Sequence, residues 1–424
     1  SLRAPALAAI AVLFLAPPCS KKPAAPAAPD AAPRAVAPVV GGESDAADAA
    51  DATVAAADAT APPVDAAGRV PTAEELEARP CWDGQEWVAR PDEPARGDAG
   101  KCGVLTAKPP AVEAIPLLGG RLVVRPLEGA RDEAAGSSIM GAPEPSAIET
   151  RVILEAEGEK LVLMAWELFR SGGDRLDWGV YRDVKTWRTP PGVLSCVEPV
   201  TFEDERLRGY AVVPSEIHGD GDVLTALSVF VLHPDGLVQF LRFYVNPPLR
   251  SGGAACTGLA QGIAGTLTGG TREIERTGGK RRLDAYAPTR ELEVDLPEDY
   301  VLTPQPGPDF VVYQLEPIVP LGSPSGRLGV YIGDHPQEPA EGWGGPAERV
   351  KGPLLGEQVE WVSWVIPETE EGPEQHRTEA LVSLTSFPGM SGFLHAFAWA
   401  EDSALLIDLK GVLRSIAVVA KEER

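Results

Sequence analysis

The stretch "LTALSVFVLHPDGLVQFLRFYV", Leu224–Val245, decides the fold. Two apolar runs of strand length flank "HPDG", whose proline, aspartate and glycine are turn formers, so the stretch reads as a β-hairpin. Downstream lies "CTGLAQGIAGTL", in which Leu259, Ile263, Ala264 and Leu267 share one helical face. Upstream, "RVILEAEGEKLVLMAWELF" has two apolar runs around "EGEK" and reads as another hairpin. Further on, "DFVVYQLEPIV" and "RLGVYIGDHP" read as strands ending in turns. A meandering antiparallel sheet closed by a helix is an α+β architecture.

The pattern recurs. "LVVRPLEGA" (Leu122–Ala130) aligns with "LEVDLPEDY" (Leu292–Tyr300), and Val229–Val245 aligns with "AFAWAEDSALLIDL" (Ala396–Leu409). "GLAQGIAGTL" (Gly258–Leu267) aligns with "GVLRSIAVVA" (Gly411–Ala420), where Val412, Leu413, Ile416 and Val419 form the apolar face. Each second copy follows the first in the same order, which predicts tandem domains. The expected boundaries are residues 103–271 and 290–424, with 272–289, including the basic "RTGGKRRL", as linker. The opening strand "ELEVDLPEDYVL" and the hairpin-plus-helix stretches resemble the PsbP-like fold, which includes periplasmic lipoproteins of the DcrB type. That resemblance implies a binding or assembly-assisting module without catalysis.

The first residues, "SLRAPALAAIAVLFLAPPCS", carry an apolar run shorter than the ~20 residues that cross a bilayer. They resemble a bacterial lipoprotein signal, with 1–18 removed and Cys19 lipidated. Pro18 departs from the small residue usual before that cysteine. Residues 19–79, rich in Ala, Pro and Asp, have almost no large apolar side chains and are expected to be a disordered tether. The remaining cysteines, Cys81, Cys102, Cys196 and Cys256, are even in number and lack C-x-x-C spacing, which fits an oxidising compartment. Local pairing, Cys81 with Cys102 and Cys196 with Cys256, is the expectation, and makes 80–102 a disulfide-closed loop.

A formal charge of −24 argues against nucleic acid and against charge-driven binding of anionic lipid. The excess of Ala, Gly, Pro, Arg and acidic residues looks like a high-GC bacterial genome. The expected location is therefore the envelope of a Gram-negative-type bacterium, in the periplasm or at the outer membrane and lipid-anchored, with secretion as the alternative.

No catalytic motif stands out. "FPGMSGF" has Phe393 where a nucleophile elbow needs glycine. "EIHGDGD", holding His218, Asp220 and Asp222, lacks the spacing of a calcium loop and reads as a solvated turn. His233, His335, His376 and His395 show no helical ligand spacing. No metal, cofactor or catalytic residue is assigned. Trp361 and Trp364 read as core, while Trp82, Trp87 and Trp343 are candidate interface residues. The favoured function is a non-catalytic module binding an unidentified envelope protein. The alternative is a secreted hydrolase or metal-dependent enzyme with a site built from loops.

The anchor is directly testable. The mature protein should partition into detergent, and Cys19→Ala should move it to the soluble fraction; unchanged partitioning would refute lipidation at Cys19.

Overall fold

The computed structural model describes residues 72–421 except 92–102, 134–148, 157–158, 174, 188–189, 191, 217–223, 246–252, 337–345 and 369–373. The first half carries α1 (Ala73–Ala78), β1 (Cys81–Trp82), β2 (Trp87–Val88), α2 (Gly103–Thr106), β3 (Ile115–Leu117), β4 (Leu122–Val124), β5 (Arg131–Glu133), β6 (Glu149–Ala156) and β7 (Glu159–Ser171). It continues with α3 (Leu176–Lys185), β8 (Ser195–Pro199), β9 (Arg208–Pro214), β10 (Leu224–Leu232), β11 (Leu237–Val245), α4 (Gly253–Gly265) and β12 (Thr268–Gly269). The second half carries β13 (Arg276–Leu283), β14 (Arg290–Pro306), β15 (Phe310–Pro317), β16 (Val319–Pro320), β17 (Gly326–Gly333), β18 (Glu348–Leu354) and β19 (Glu357–Ile366). It ends with β20 (Gln375–Ser383), β21 (Phe393–Ala400), α5 (Ser403–Arg414) and β22 (Ala417–Ala420).

The large sheets share one plan. The first runs β8-β9-β10-β11-β7-β6-β5, extended at its β8 edge by β1 and β2. The second, read from its far edge, runs β18-β19-β20-β21-β17-β15-β14, extended by β13. These two paths match strand for strand, and every pairing along them is antiparallel. In each half the last strand before the helix lies mid-sheet, and a short strand after the helix returns to the opening segment. β12 pairs with β4 through Gly269↔Leu122, and β22 pairs with β14 through Leu292↔Val418. Leu122 and Leu292 are the residues the repeat alignment equates.

Each closing helix buries one face of its own sheet. Ile263, Ala264 and Leu267 pack with Val229, Leu241 and Phe243 in the first core. Leu409, Val412, Leu413 and Ile416 pack with Leu328, Ala396 and Ala398 in the second. Ile263 and Ile416 are 3% and 1% exposed, as the repeat predicts. Truncation of either to alanine removes core volume of a kind that costs about 2–5 kcal/mol.

Several expectations are corrected. Ala396–Leu409 is not a hairpin: Ala396–Ala400 is the end of β21, and Ser403 onward is helix. Asp402 caps that helix by accepting hydrogen bonds from the amides of Ala404 (2.8 Å) and Leu405 (3.0 Å), so the chain turns helical before a second strand can form. The closing helix is Ser403–Arg414, and Gly411–Ala420 spans its end and β22. The true counterpart of the first hairpin is β20–β21. The expected linker at 272–289 contains β13, whose basic side chains pair with acidic ones on β14: Lys280 lies 3.0 Å and Arg282 3.2 Å from Glu293. The insertion between β7 and β8 holds α3, whose Leu176, Val180, Tyr181 and Val184 pack on the other face of the first sheet.

The disulfide pattern also differs. Cys81 pairs with Cys196, because β1 lies antiparallel to β8 with those two residues opposite each other. The 80–102 loop expectation gives way to the β1–β2 hairpin stapled to the sheet edge. Cys256 is disulfide-bonded as well, to a partner outside the described residues. Cys81–Cys196 closes a separation of 115 residues, a loop length for which chain entropy gives roughly 5 kcal/mol before native strain. Non-reducing peptide mapping should recover this link, and Cys81→Ala/Cys196→Ala should lower the denaturation free energy by about 2–5 kcal/mol. A Cys81–Cys102 peptide would contradict the pairing.

Candidate functional site

With α4 and α5 on one face of each sheet, the opposite faces hold the remaining candidates. On the first sheet the alternation along β11 sends Leu241, Phe243 and Val245 into the core and leaves Phe240, Arg242 and Tyr244 half-buried on the other side. α3 covers the part of that side formed by β8, β9 and the hairpin end of β10–β11, clustering with Val197, Val212, Phe230, Leu232 and Val238. Beyond α3 lies an aromatic surface. Trp166 stacks on Phe240 at 5.6 Å and meets Tyr244 edge-on at 6.5 Å. Trp187 approaches Phe230 and Phe240, each at 6.1 Å. Arg242 lies among these rings, 5.0 Å from Phe240, 5.1 Å from Trp187 and 5.9 Å from Tyr244.

The second sheet repeats the theme. Register places Trp364, Arg377, Trp399 and Arg327 in one row across four strands. Arg327 sits 5.4 Å above the Trp399 ring. The next rows hold Glu379 beside Phe397, then Leu381, His395 and Tyr331. Phe397 lies across Gly329 so closely that a side chain there would collide with its ring. His395 Nε2 and Glu379 Oε2 are 2.6 Å apart.

The two surfaces come together where the halves join. β16 runs parallel to the end of β7, pairing Val319 with Arg170. Leu321 enters the apolar cluster under α3, against Gly179, where an added Cβ would lie 3.0 Å from that of Leu321. Arg170 donates to the Pro324 carbonyl at 3.4 Å and interacts with Glu401, Asp183 and Glu316. Desolvation lowers its affinity for a proton and raises the carboxyls of Asp183 and Glu316 above the usual range. Trp187 Nε1 donates to Asp183 at 3.1 Å. This ionic junction fixes the aromatic surfaces relative to one another.

A second polar cluster lies at the turn of the β10–β11 hairpin. Buried Arg121 donates through Nη2 to both carboxylate oxygens of Asp235, at 2.8 and 3.0 Å, and Arg272 donates through both terminal nitrogens to Glu167, at 2.5 and 3.2 Å. His233 is buried beside Arg121, and burial first, then that guanidinium, hold its imidazole down at about 4. It is neutral near pH 7, and among the described residues its Nε2 has no hydrogen-bond partner.

The sequence candidates fare as follows. Trp82 is 5% exposed and belongs to the core, while half-buried Trp87 packs at its edge, tilted against Trp82 at 5.3 Å and against Tyr181 at 4.4 Å; the Tyr181 hydroxyl donates to the Leu76 carbonyl. The β1–β2 hairpin folds them under α3. Trp343, His218, Asp220, Asp222, Cys19 and Cys102 lie outside the described residues. Trp361 and Trp364 are buried, as expected. Ser391 is an exposed turn residue. His335 and His376 lie beside Asp309 and Glu374 on the surface. His395 has its Nε2 on Glu379 and, among the described residues, no hydroxyl to activate. No group of three or more His, Cys, Asp or Glu among the described residues is placed to hold a metal. Trp166, Trp187, Arg242, Arg327 and Trp399 were missed.

The chain matches no protein-family model and no curated protein. Among solved structures it is similar to the Tle4–Tli4 complex and to the immunity protein TplEi of the T6SS from Pseudomonas aeruginosa in its apo form. Each is 10% identical, with 72% of this chain and 96% of that chain covered and a TM-score of 0.19.

His233 gives a pH test. Its folded pKa, about 4, lies below the unfolded value near 6.5. The unfolded chain thus binds the extra proton between these values, and stability falls as pH drops through that window. The shift corresponds to about 3 kcal/mol. Denaturant unfolding from pH 7 to 4 should show a correspondingly shallower loss for His233→Gln than for the wild type. Parallel pH profiles would contradict the assignment.

Proposed function

We propose that this protein is an exported, non-catalytic binding module that engages another envelope protein through the parts of its tandem sheets that α3, α4 and α5 leave uncovered. The carrying observation is the composition of those faces. Trp166, Trp187, Phe240, Arg242 and Tyr244 on one, and Trp399, Arg327, Phe397 and Tyr331 on the other, are the residue types that dominate interface energetics. All but Trp187, which follows α3, lie on central strands rather than on loops, so little ordering accompanies binding. The Cys81–Cys196 bridge supports an oxidising compartment. Among the described residues no helix is long and apolar enough to cross a membrane. The expected tether at 19–79 is shortened at its end, because α1 (Ala73–Ala78) packs on the first sheet through Leu76; attachment in this reading comes from lipidated Cys19, with the Ala/Pro/Asp-rich residues 19–71 as spacer.

The test is affinity capture from solubilised envelope, followed by measured binding of the purified partner. Trp166→Ala and Trp399→Ala should each weaken binding about thirtyfold, a hot-spot loss of about 2 kcal/mol. Ile407→Ala, on the exposed side of α5, should leave it unchanged. Equal loss at Ile407, or none at either tryptophan, would refute the assignment of the binding face.

A further inference from the structure

Resting on that reading, we propose that Arg242 anchors the first sheet's surface by taking the carboxylate of an aspartate or glutamate side chain from the partner protein. Its Nε donates to Ser228 Oγ at 3.1 Å, which fixes the guanidinium plane on the sheet. The Trp187, Phe240 and Tyr244 rings lie 5.1, 5.0 and 5.9 Å from its Cζ as cation–π partners, which do not use the N–H groups of the fork. Arg121, Arg206 and Arg272 each hold a carboxylate within 2.8 Å, whereas no carboxylate among the described residues lies within ion-pair distance of Arg242. With Nε occupied, the two terminal nitrogens remain as a planar fork, the geometry that a carboxylate meets bidentately.

The surroundings favour a singly charged acceptor. Asp183 lies close enough for its charge to be felt by Arg242 without forming a pair. That negative field opposes a dianionic phosphate more strongly than a carboxylate. The whole chain is also strongly acidic, at −24. An acidic side chain is therefore held by local complementarity and not drawn in by long-range attraction. The rings exclude water around the contact, which strengthens a charge-assisted hydrogen bond relative to one at an open surface.

The experiment selects random peptides displayed on phage against the immobilised full chain, with Arg242→Gln and Arg242→Lys selected in parallel. Thermal unfolding confirms that each variant is folded; should Arg242→Gln not fold, Arg242→Lys carries the comparison, since it keeps the charge but loses the fork. Peptides enriched on the wild type should carry Asp or Glu beside apolar residues. Changing that acidic residue to its amide should weaken binding at least tenfold on the wild type and have almost no effect on Arg242→Gln, the signature of direct coupling. Enriched peptides without an acidic preference, or equally strong on Arg242→Gln, overturn the role of Arg242 and leave the binding reading standing. No enrichment over blank support on any form overturns both. Inorganic phosphate that binds in an Arg242-dependent way while acidic peptides do not overturns the carboxylate assignment.

Discussion

Each half of this protein owns one closing helix, and one helix can bury only one face of a sheet. That constraint shapes the rest. α4 and α5 settle on the faces lined by Val229, Leu241 and Phe243, and by Leu328, Ala396 and Ala398. α3 covers part of the first sheet's other face, and what stays uncovered on the two sheets must be made tolerable to water without losing strand propensity. The sequence does so with arginine stacked on aromatic rings: Arg242 among Trp187, Phe240 and Tyr244, and Arg327 over Trp399. Such stacks satisfy the pleated surface, keep a charged head at the solvent side and leave a surface of the composition that partners bind.

The junction between the halves follows the opposite logic. It is polar and desolvated, with Arg170 among Asp183, Glu316 and Glu401 and with Leu321 plugged beneath α3. Charges buried in this way contribute little net stability as a group, but removal of one partner strands the others, typically at about 3–5 kcal/mol. Such an arrangement specifies one relative placement of the sheets. A binding surface divided between two sheets needs that placement held constant, because its two aromatic patches must meet one partner in register.

Local chemistry was readable from the sequence and long-range chemistry was not. The β6–β7 and β10–β11 hairpins, and the strands β15 and β17, follow from alternation and from the turn residues beside them. The repeat was legible at Leu122 and Leu292 because the same strand-helix-return unit closes each half. Its second copy was misregistered because "SALLIDL" is an apolar run that suits strand or helix equally; the Asp402 cap was the signal that separates them. β13 read as linker because a basic run looks solvated until Glu291 and Glu293 arrive from β14. Cys81–Cys196 depends on which strand forms the sheet edge, which spacing does not encode. The Arg242 cage was half legible: period two puts Phe240, Arg242 and Tyr244 on one face, but Trp166 and Trp187 reach it only through the fold.

Hydroxyl-radical footprinting of the protein, free and bound to its envelope partner, tests the central claim most directly. The account predicts that Trp166, Tyr244, Tyr331 and Trp399 react in the free protein and are protected in the complex, while exposed Tyr286 and Ile407 stay reactive in both. Protection centred on the outer side of α5 around Ile407, with the sheet faces unchanged, would contradict it.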